Sequence, residues 1–316
     1  MSTATAIGVD FGGTSVKLAV VRDGVIVERG NIIPTRQDGD STALIGSIVD
    51  EINRLKGRYP DVEAVGFGLP GIINAAEGMV LNLTNVKGWR NIPLRSIVSR
   101  DTALLTNLEN DAKAMAYAEW KHGAGEGDPN VVCVTLGTGI GGGLILNGRL
   151  YRGSTMVAGG IGQMSIDYRG NDFVYGNKGA LESYVGIWHI SQRAKEIYAA
   201  AAKSLSNEQA EPEKLSEAAD AGDPLALELW SEIGLKLGVG LSNVIWLLNP
   251  NRIVLGGGVA KAGERLFSKI INTIRERTEK TFWEKLQIVP ATLGNDAGII
   301  GAATLALESE FVLPKC

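Results

Sequence analysis

Five glycines among the eight residues 136–143 form the part of the sequence best suited to binding phosphate. They follow an apolar segment at 131–135. Glycine lets backbone N–H groups come close to an anion, and the hydroxyl of Thr138 adds a side-chain donor. Gly137, Thr138 and Gly139 are therefore candidates for a phosphate-binding turn. The alternative is a glycine-rich β-hairpin that binds no ligand.

The same order of features occurs near the N-terminus. An apolar segment leads into Gly12, Gly13 and Thr14, and the turn Asp23-Gly24 follows. The later copy has its turn at Asn147-Gly148, and both dipeptides are typical of two-residue type I′ hairpins. A duplicated unit explains this match better than coincidence does. Each copy would contribute one phosphate-binding turn.

Two charged residues lie beside the first turn. Asp10 ends the strand before it, and a carboxylate next to a bound phosphate is repulsive unless a cation lies between them. We therefore expect Asp10 to bind Mg²⁺ through water, because Mg²⁺ retains several of its waters in proteins. Lys17 could supply a positive charge for a phosphate. The alternative makes Asp10 a turn residue and Lys17 an exposed strand lysine.

A second carboxylate, Asp111, lies where a strand pattern at 104–110 changes to a helix-prone segment at 112–120. It could cap that helix, which is a common use of Asp. It could instead point into the crevice at the carboxyl ends of the strands, where open α/β sheets bind ligands. Asn110, beside it, could then orient a substrate hydroxyl.

Two segments between these motifs could contact a small molecule. Pro70-Gly71 ends an apolar strand at 64–68 and can line a ligand mouth with backbone groups. A loop is predicted at 81–94, and it contains Asn85 and Trp89. These residues could recognise a sugar, or they could be a turn former and a packed indole.

A third glycine-rich turn lies near the C-terminus. Gly256, Gly257 and Gly258 follow an apolar strand and precede a helix. Such a turn could admit a flat purine against the backbone or serve only for tight packing. The preceding segment, 224–248, predicts a long helix that belongs to the core or supplies an oligomer face.

The candidate residues must be positioned by alternating strands and helices. The segments 7–10, 16–21 and 25–33 predict a three-stranded meander, and 41–56 shows the apolar spacing of a helix. A further helix is predicted at 299–307. The pattern is that of an α/β protein.

Composition excludes several classes of protein. A chain of 316 residues favours two domains, and the net charge of −4 gives no basic surface for nucleic acid. The sequence has no run of 18 apolar residues, so we expect no membrane span. The first residues lack a signal-peptide pattern. The two cysteines, Cys133 and Cys316, form no disulfide framework, which favours the cytoplasm.

Together these motifs resemble the ROK family of sugar kinases and repressors, in the superfamily of actin and hexokinase. Segments 10–14 and 136–143 look like its two phosphate motifs, 108–111 like the motif with the catalytic aspartate, and 256–258 like its adenosine-side turn. The resemblance covers nearly the whole chain. It implies an α/β, two-domain actin-like ATPase (ribonuclease H-like) fold with a duplicated mixed sheet and an interdomain cleft.

The resemblance also implies an activity, the phosphorylation of a hexose by ATP with Mg²⁺, as in a glucokinase or hexokinase acting on the 6-hydroxyl. Asp111 would be the general base. The nucleotide-binding candidates are Asp10, Gly12, Gly13, Thr14, Lys17, Gly137, Thr138, Gly139, Gly256, Gly257 and Gly258. The sugar-binding candidates are Gly71, Asn85, Asn110, Asp111, Gln163 and Glu182. Repressors of the family often begin with a winged helix, for which the residues before Asp10 leave no room, so the kinase branch is favoured.

The sequence departs from the family at its zinc loop. The positions that match the four zinc ligands are occupied by Gln163, Phe173, Tyr175 and Ala180. None of these side chains is a competent zinc ligand, so we expect no structural zinc and packing in its place. Gly160 also replaces a glutamate that binds sugar hydroxyls in the family. Either the sugar specificity is broader, or another group fills the gap.

Two other functions fit part of the sequence. Gly137, Gly139 and Gly142 after a strand match a dinucleotide-binding fingerprint, but that fingerprint requires a helix next, and 144–148 predicts a strand and hairpin. The second alternative is a catalytically weak or inactive sugar-sensing protein, although the presence of both Asp10 and Asp111 argues against it. The sequence also does not exclude polyphosphate as an alternative phosphoryl donor.

The predicted organisation is a smaller N-terminal domain at 1–118 plus 299–316 and a larger C-terminal domain at 119–298. The expected partners are a small-molecule sugar and a nucleotide, with no nucleic acid and no membrane. We also expect a homodimer or a higher homo-oligomer.

Overall fold

The computed structural model describes residues 4–35, 41–83, 86 and 88–308. Within these residues the strands, in chain order, are β1 (Thr5–Phe11), β2 (Ser15–Arg22), β3 (Val25–Arg29), β4 (Ile33–Pro34), β5 (Val62–Leu69), β6 (Gly71–Asn74), β7 (Met79–Leu83), β8 (Arg90–Ile92), β9 (Leu105–Asn110), β10 (Val131–Leu136), β11 (Ile140–Leu146), β12 (Arg149–Tyr151), β13 (Arg252–Gly256) and β14 (Gln287–Pro290). The α-helices of the same residues are α1 (Ser41–Arg58), α2 (Leu94–Thr102), α3 (Asp111–His122), α4 (Glu182–Val185), α5 (Ile187–Ala200), α6 (Pro212–Asp220), α7 (Pro224–Leu248), α8 (Glu264–Arg277), α9 (Lys280–Trp283) and α10 (Ala297–Leu307).

The chain forms two compact units. The first comprises the described parts of Met1–Gly127, Gly143–Gly159 and Thr292–Cys316, and the second comprises Asp128–Gly142 and Gly160–Ala291. The first unit therefore takes in an internal segment, Gly143–Gly159, that the boundaries drawn from the sequence assign to the other part of the chain. Those boundaries, 1–118 plus 299–316 and 119–298, stay a prediction about domains.

The main sheet of the first unit has the order β3-β2-β1-β5-β9, with β4 paired to β2. β1, β5 and β9 run parallel, whereas β2 is antiparallel to both β1 and β3. The predicted meander at the N-terminus and the predicted helix at 41–56 are confirmed as β1 to β3 and α1. Because three parallel strands lie side by side, their carboxyl ends meet at one edge of the sheet.

Alternating residues of β1 explain how helices cover both faces of this sheet. Ile7, Val9 and Phe11 belong to a large apolar core that includes the buried face of α1. On the opposite face, a Cβ at Gly8 would lie 2.0 Å from the backbone oxygen of Ile299 in α10. Gly66 of β5 meets Ala302 O in the same way, at 1.9 Å. Glycine at these two strand positions lets α10 pack directly on the backbone.

The prediction of a loop at 81–94 is wrong at 81–83 and 90–92, which are strands, and at 94, where α2 begins. β7 and β8 pair antiparallel and form a three-stranded sheet with β6. Strands of three to five residues are too short to show a clear alternation, and their pairing comes from the tertiary fold. Trp89 is buried against Phe11, with ring centroids 4.9 Å apart, so it is a packed indole. Asn85 lies outside the described residues.

The second unit is built on the parallel strands β10, β13 and β14. β11 is the neighbour of β10 in the same sheet. The predicted helix at 224–248 is confirmed as α7. By length and composition alone, α7 could cross a membrane, yet half of its most apolar window is buried within the protein. Its buried leucines and isoleucines pack against α8, α5 and α6, which is the environment of a core helix.

Candidate active site

The carboxyl edge of the parallel strands brings the first group of candidate residues together. Asp10 of β1 is in register with Gly68 of β5, and Gly68 is in register with Glu109 of β9. The chain turns at this edge from Asn110 directly into α3, so Asp111 is the first residue of the helix. Asp10 and Asp111, which are distant in sequence, therefore lie at the same sheet edge.

Asn110, and not Asp111, caps helix α3. Asn110 is the N-cap of α3, and its side-chain oxygen accepts the N–H of Lys113 at 3.3 Å. Asp111 uses one oxygen, Oδ1, to accept from Ala112 N–H at 2.8 Å and from Asn110 Nδ2 at 3.0 Å. No hydrogen bond within the described part of the chain involves its other oxygen, Oδ2. That oxygen is therefore available to a further partner.

The electrostatic environment of Asp111 favours a group that can exchange protons near neutrality. Burial is the main cause that raises the pKa of Asp111 from 3.8 to about 6, and the negative charge of Asp10 adds to it. The hydrogen bonds from Ala112 and Asn110 act in the opposite direction. A general base is most effective when its pKa lies near the working pH.

Asp10 also occupies an environment that is unfavourable for an isolated carboxylate. Burial raises the pKa of Asp10, and the charge of Lys17, its partner in the β1–β2 register, only partly offsets this effect. A cation placed between two buried carboxylates that repel each other would offset both charges. Among the described residues no cluster of three or more His, Cys, Asp or Glu side chains could hold a metal. Mg²⁺ suits such a site, because it commonly binds through one or two carboxylates and keeps several waters.

A residue that the sequence did not single out shapes the space around Asp10. A Cβ on Gly298, in the first turn of α10, would lie 3.1 Å from Oδ1 of Asp10. The carboxylate therefore fits because this helix position has no side chain. Gly298 follows the segment Gly294-Asn295-Asp296, but nothing in its local pattern relates it to a strand end so far away in sequence.

The first Gly-Thr turn is open to solvent. Gly13 and Thr14 are exposed, and nothing lies within 4 Å of a Cβ placed on Gly13. The turn is closed by a hydrogen bond from Gly12 N to Ser15 O at 2.9 Å and is tied to Thr35, whose hydroxyl donates to Gly12 O. This arrangement leaves room for an anion beside the turn.

The second Gly-Thr turn, in the second unit, is held by the start of two helices. Ile187 N donates to Gly137 O at 3.0 Å, and Ile140 N donates to Oε2 of Glu182 at 2.7 Å. Thr138 is exposed. None of the glycines at 137–143 has a positive φ, so close approach explains them. A Cβ on Gly139, for example, would lie 2.7 Å from Glu182 Oε2.

The structure supports the duplication and removes one rival function. Asp23, Gly24, Asn147 and Gly148 all have positive φ, between 49° and 75°, as a type I′ hairpin requires. Each Gly-Thr turn thus lies between two strands and is followed by the same hairpin. Because a strand and not a helix follows Gly139, the dinucleotide-binding fingerprint is not present.

In the third glycine turn, one glycine is required by the backbone and another has open space beside it. Gly257 has a φ of +88°, and a Cβ there would lie 2.3 Å from Leu136 O, so this position requires glycine for packing. Nothing lies within 4 Å of a Cβ on Gly258. The expected strand, glycine turn and helix are present, with a short 3-10 segment before α8. Purine binding at Gly256 to Gly258 stays a prediction.

In the loop that resembles a zinc loop, the four positions that match zinc ligands carry no suitable donor for zinc. Ala180 is fully buried whereas Tyr175 is 73% exposed, so the four matching positions do not converge on a metal. A side-chain amide connects the loop instead, since Asn177 Nδ2 donates to Gln163 O at 2.7 Å. Oε1 of Gln163 and Oδ1 of Asn177 are buried without a hydrogen-bond partner. The residues present do not fit zinc.

Gly71 also lies at the sheet edge in the first unit. Its φ of +112° favours glycine, and its carbonyl faces Asn110 Nδ2 at 3.4 Å. The structure thus places Gly71, Asn110 and Asp111 together. Gln163 and Glu182 lie on neighbouring segments of the second unit, where a Cβ on Gly162 would be 3.1 Å from Glu182 Oε2.

Comparison with known proteins identifies the family to which this chain is similar. A family model described as the ROK family matches residues 6–309. A glucokinase from Halalkalibacterium halodurans is 34% identical, over 100% of this chain and 98% of that protein. A xylose repressor from Caldicellulosiruptor bescii is 26% identical, over 87% of this chain and 71% of the repressor.

A solved structure supports the fold. The ROK family glucokinase from Streptomyces griseus, in complex with glucose and AMPPNP, has a TM-score of 0.79 and 32% identity to this chain. The similarity covers 95% of this chain and 98% of that one. The predicted α/β class with an actin-like ATPase fold is confirmed, and the cleft inferred from the sequence stays a prediction.

Proposed function

Because the chain belongs to the ROK family, we propose that it is an ATP-dependent sugar kinase that phosphorylates a hexose at its 6-hydroxyl. Glucokinases are among its relatives over the full chain, and a related structure contains glucose and an ATP analogue. The observation that carries the proposal is Asp111, a carboxylate at the start of a helix with one oxygen unbonded in the described structure and a pKa of about 6.

The chemical step is an in-line transfer of the γ-phosphoryl group of ATP. Asp111 Oδ2 accepts the proton of the sugar hydroxyl as that oxygen attacks phosphorus. Asn110 orients the sugar, and its Nδ2 also donates to Asp111 Oδ1. This hydrogen bond and the one from Ala112 N–H both use Oδ1, so Oδ2 is the oxygen that accepts the proton.

Separate groups in each unit bind the phosphates. In the first unit they are the N–H groups of the turn at Gly12, Gly13 and Thr14, together with the ammonium group of Lys17. In the second unit they are the N–H groups at Gly137 and Gly139 and the hydroxyl of Thr138. Preorganised donors of this kind stabilise the charge of the transferred group.

Asp10 would hold Mg²⁺ through water, which would neutralise charge on the phosphate oxygens. Lys17 is exposed on β2 opposite Asp10. It therefore lies where a phosphate bound by the first Gly-Thr turn would be within its reach.

The sugar is held by Asn110, by Gln163 and Glu182, and by backbone near Gly71. Gly160 offers no carboxylate for hydroxyls near the anomeric carbon, so we propose that the enzyme accepts several hexoses. Initial rates over a panel of hexoses and inositols test this point. A sharp preference for glucose over its C2 variants would contradict broad specificity.

The function is tested by coupled detection of ADP release with glucose and ATP, with polyphosphate as an alternative donor. The Asp111→Asn variant is expected to lose at least about a hundredfold in kcat, a common share for a general base. The exposed Asp50→Asn variant is the matched control and should retain full activity. Near-normal turnover by Asp111→Asn would remove Asp111 from this role.

A sugar sensor is the second candidate function, and the xylose repressor relative favours it. A sensor would bind sugar without turning it over. Calorimetric titration with glucose, run beside the ADP assay, separates the two functions. Sugar binding with no ADP release from any donor would replace the kinase proposal with the sensor.

A further inference from the structure

A buried ion pair lies directly behind the turn that carries Asn110 and Asp111. Oε2 of Glu109 accepts a hydrogen bond from Arg152 Nε at 2.6 Å, and the two side chains are only 3% and 10% exposed. The other oxygen of Glu109 accepts the backbone N–H of Asn110 at 2.9 Å. One carboxylate thus connects the guanidinium of Arg152 to the backbone of the residue that caps α3.

A second buried cation holds the same region from the helix side. Lys113, in the first turn of α3, is 3% exposed, and its ammonium donates to the carbonyl oxygen of Met156. Burial lowers the pKa of Lys113, while the charge of Glu109 acts to raise it. The cluster therefore contains one carboxylate and two cations, all removed from water.

Both cations are connected to one loop, residues 152–158, which we name the anchor loop: Arg152 is its first residue, and Lys113 binds the carbonyl oxygen of Met156 within it. A hydrogen bond from Ala158 N to Arg152 O, 2.9 Å long, closes its ends. Its backbone takes left-handed φ values at Gly153 (73°) and Met156 (66°), and for a residue with a side chain this costs about 1–2 kcal/mol. The loop is thus held in a defined shape and is tied to both β9 and α3.

Stability alone does not account for this cluster. Removing charges from water costs several kcal/mol per ion, and a buried ion pair is often no more stable than apolar residues of the same volume. A pair with bonds in fixed directions does, however, restrict the backbone to which it is attached. Here that backbone is the turn of Asn110 and Asp111, where a shift of about 1 Å can cost about a hundredfold in rate.

We propose that Arg152 and Lys113 are positioning residues, which hold the anchor loop against the turn between β9 and α3 and so fix Asn110 and Asp111 for phosphoryl transfer. The inference rests on the proposed function, because Asn110 and Asp111 are the residues proposed to meet the sugar hydroxyl. Arg152 acts through Glu109, and Lys113 acts through Met156.

The test replaces Arg152 by Met, with Arg149→Met as the matched control, since Arg149 is an exposed arginine on β12, the strand that ends just before Arg152. Arg152→Met is expected to lower kcat about tenfold to a hundredfold and to raise the sugar KM, with the ATP KM unchanged. Arg149→Met should match the wild type. A variant that was merely less stable would keep its kcat per folded molecule at a temperature well below its Tm.

Two further variants make the result decisive. Arg152→Lys keeps the charge but loses the planar guanidinium group, and we expect it to lower kcat about tenfold. This variant provides the test if Arg152→Met fails to fold. In an Asp111→Asn background, Arg152→Lys should cost little more, because its effect acts through Asp111. A kcat and sugar KM within about twofold of wild type for Arg152→Lys, or losses that multiply in the double variant, would overturn the inference.

Failure of the proposed function can be told apart from failure of this inference. If the wild type phosphorylates no sugar, the function is wrong, and positioning is then measured without turnover from the carboxyl NMR titration of Asp111. The titration near pH 6 is expected to shift in Arg152→Lys and to stay unchanged in Arg149→Met. An unchanged titration in both variants rejects the positioning role.

Discussion

At the scale of single residues, the two oxygens of Asp111 have different tasks. Oδ1 accepts hydrogen bonds from Ala112 N–H and Asn110 Nδ2, which fixes the orientation of the carboxylate. Capping of α3 is left to Asn110. The sequence placed Asp111 at the junction of strand and helix, but it could not separate the cap from its neighbour, because Asn and Asp are equally good N-caps.

The raised pKa of Asp111 predicts the pH dependence of catalysis. A general base must be ionised, so kcat/KM should be level above pH 7 and fall about tenfold per pH unit below the pKa of about 6. The measurement is kcat/KM for glucose at saturating ATP between about pH 4.5 and about pH 8.5, a range that extends roughly two pH units to either side of that pKa. A profile that stays level down to pH 5 would exclude Asp111 as the group that titrates.

The same shift predicts a cost in stability. The folded protein holds the proton of Asp111 more tightly than the unfolded chain does, because the pKa rises from 3.8 to about 6. The unfavourable contribution is therefore absent below pH 3.8, develops as the pH rises through 6, and is fully present at pH 7.5.

Asp111→Asn should consequently be more stable than the wild type at pH 7.5, by up to about 3 kcal/mol. The difference should vanish near pH 4, where both side chains are neutral. Urea unfolding at the two pH values provides the measurement. An equal or lower free energy of unfolding for the variant at pH 7.5 would show that burial does not penalise this carboxylate.

At the scale of elements, the loop at 160–182 is cross-connected by hydrogen bonds. Asn177 Nδ2 donates to Gln163 O, and Ser165 Oγ donates to Lys178 O, both across the loop. Gly179, with a φ of +58°, packs against Asp167 O. Hydrogen bonds therefore make the connections between the two ends of this loop.

We predict that purified protein contains no stoichiometric zinc and that EDTA leaves its Tm unchanged, whereas Asn177→Ala raises the sugar KM. Loss of one hydrogen bond of about 1 kcal/mol corresponds to about a fivefold rise. Metal analysis, thermal unfolding and sugar kinetics are the measurements. One zinc per chain, or a KM for Asn177→Ala equal to that of the wild type, would contradict this account.

Asn171→Ala is the control for this prediction. Asn171 is exposed in the same loop, and the hydrogen bond it makes uses its backbone oxygen, which accepts from Gly179 N. Removing its side chain should change neither the Tm nor the sugar KM.

The sequence predicts elements whose signal is local. The type I′ turns, the strand before each Gly-Thr turn, and α1 and α7 are confirmed, because glycine chemistry and apolar periodicity act within a few residues. The sequence does not predict β7 and β8, because strands this short are defined by their pairing partners. The contacts of Gly298 with Asp10 and of Arg152 with Glu109 join distant segments, and no local pattern encodes them.

At the scale of the whole molecule, Glu119 holds together the points where the chain leaves and rejoins the first unit. It lies at the end of α3 and is fully buried. Oε2 accepts from Ala124 N at 2.9 Å and Thr292 N at 3.1 Å, and Oε1 accepts from Leu293 N at 2.8 Å. One carboxylate satisfies three backbone donors from two distant segments.

Glu119→Ala is expected to lower the free energy of unfolding by about 3 kcal/mol, because three backbone N–H groups lose their buried acceptor. Glu119→Gln, which keeps one oxygen, should cost less. The exposed Glu63→Ala serves as the control and should change stability by less than about 0.5 kcal/mol. Denaturant unfolding gives these values, and equal stability of Glu119→Ala and Glu63→Ala would refute the anchoring role.

The direct packing of α10 on the strands at Gly8 and Gly66 has a consequence for biosynthesis. These strands are translated well before α10, the helix that covers their second face. Until then, one apolar side of the nascent sheet has no cover of its own. The N-terminal strands therefore remain incompletely packed until α10 has been made, and this delay gives chaperones a defined surface to protect.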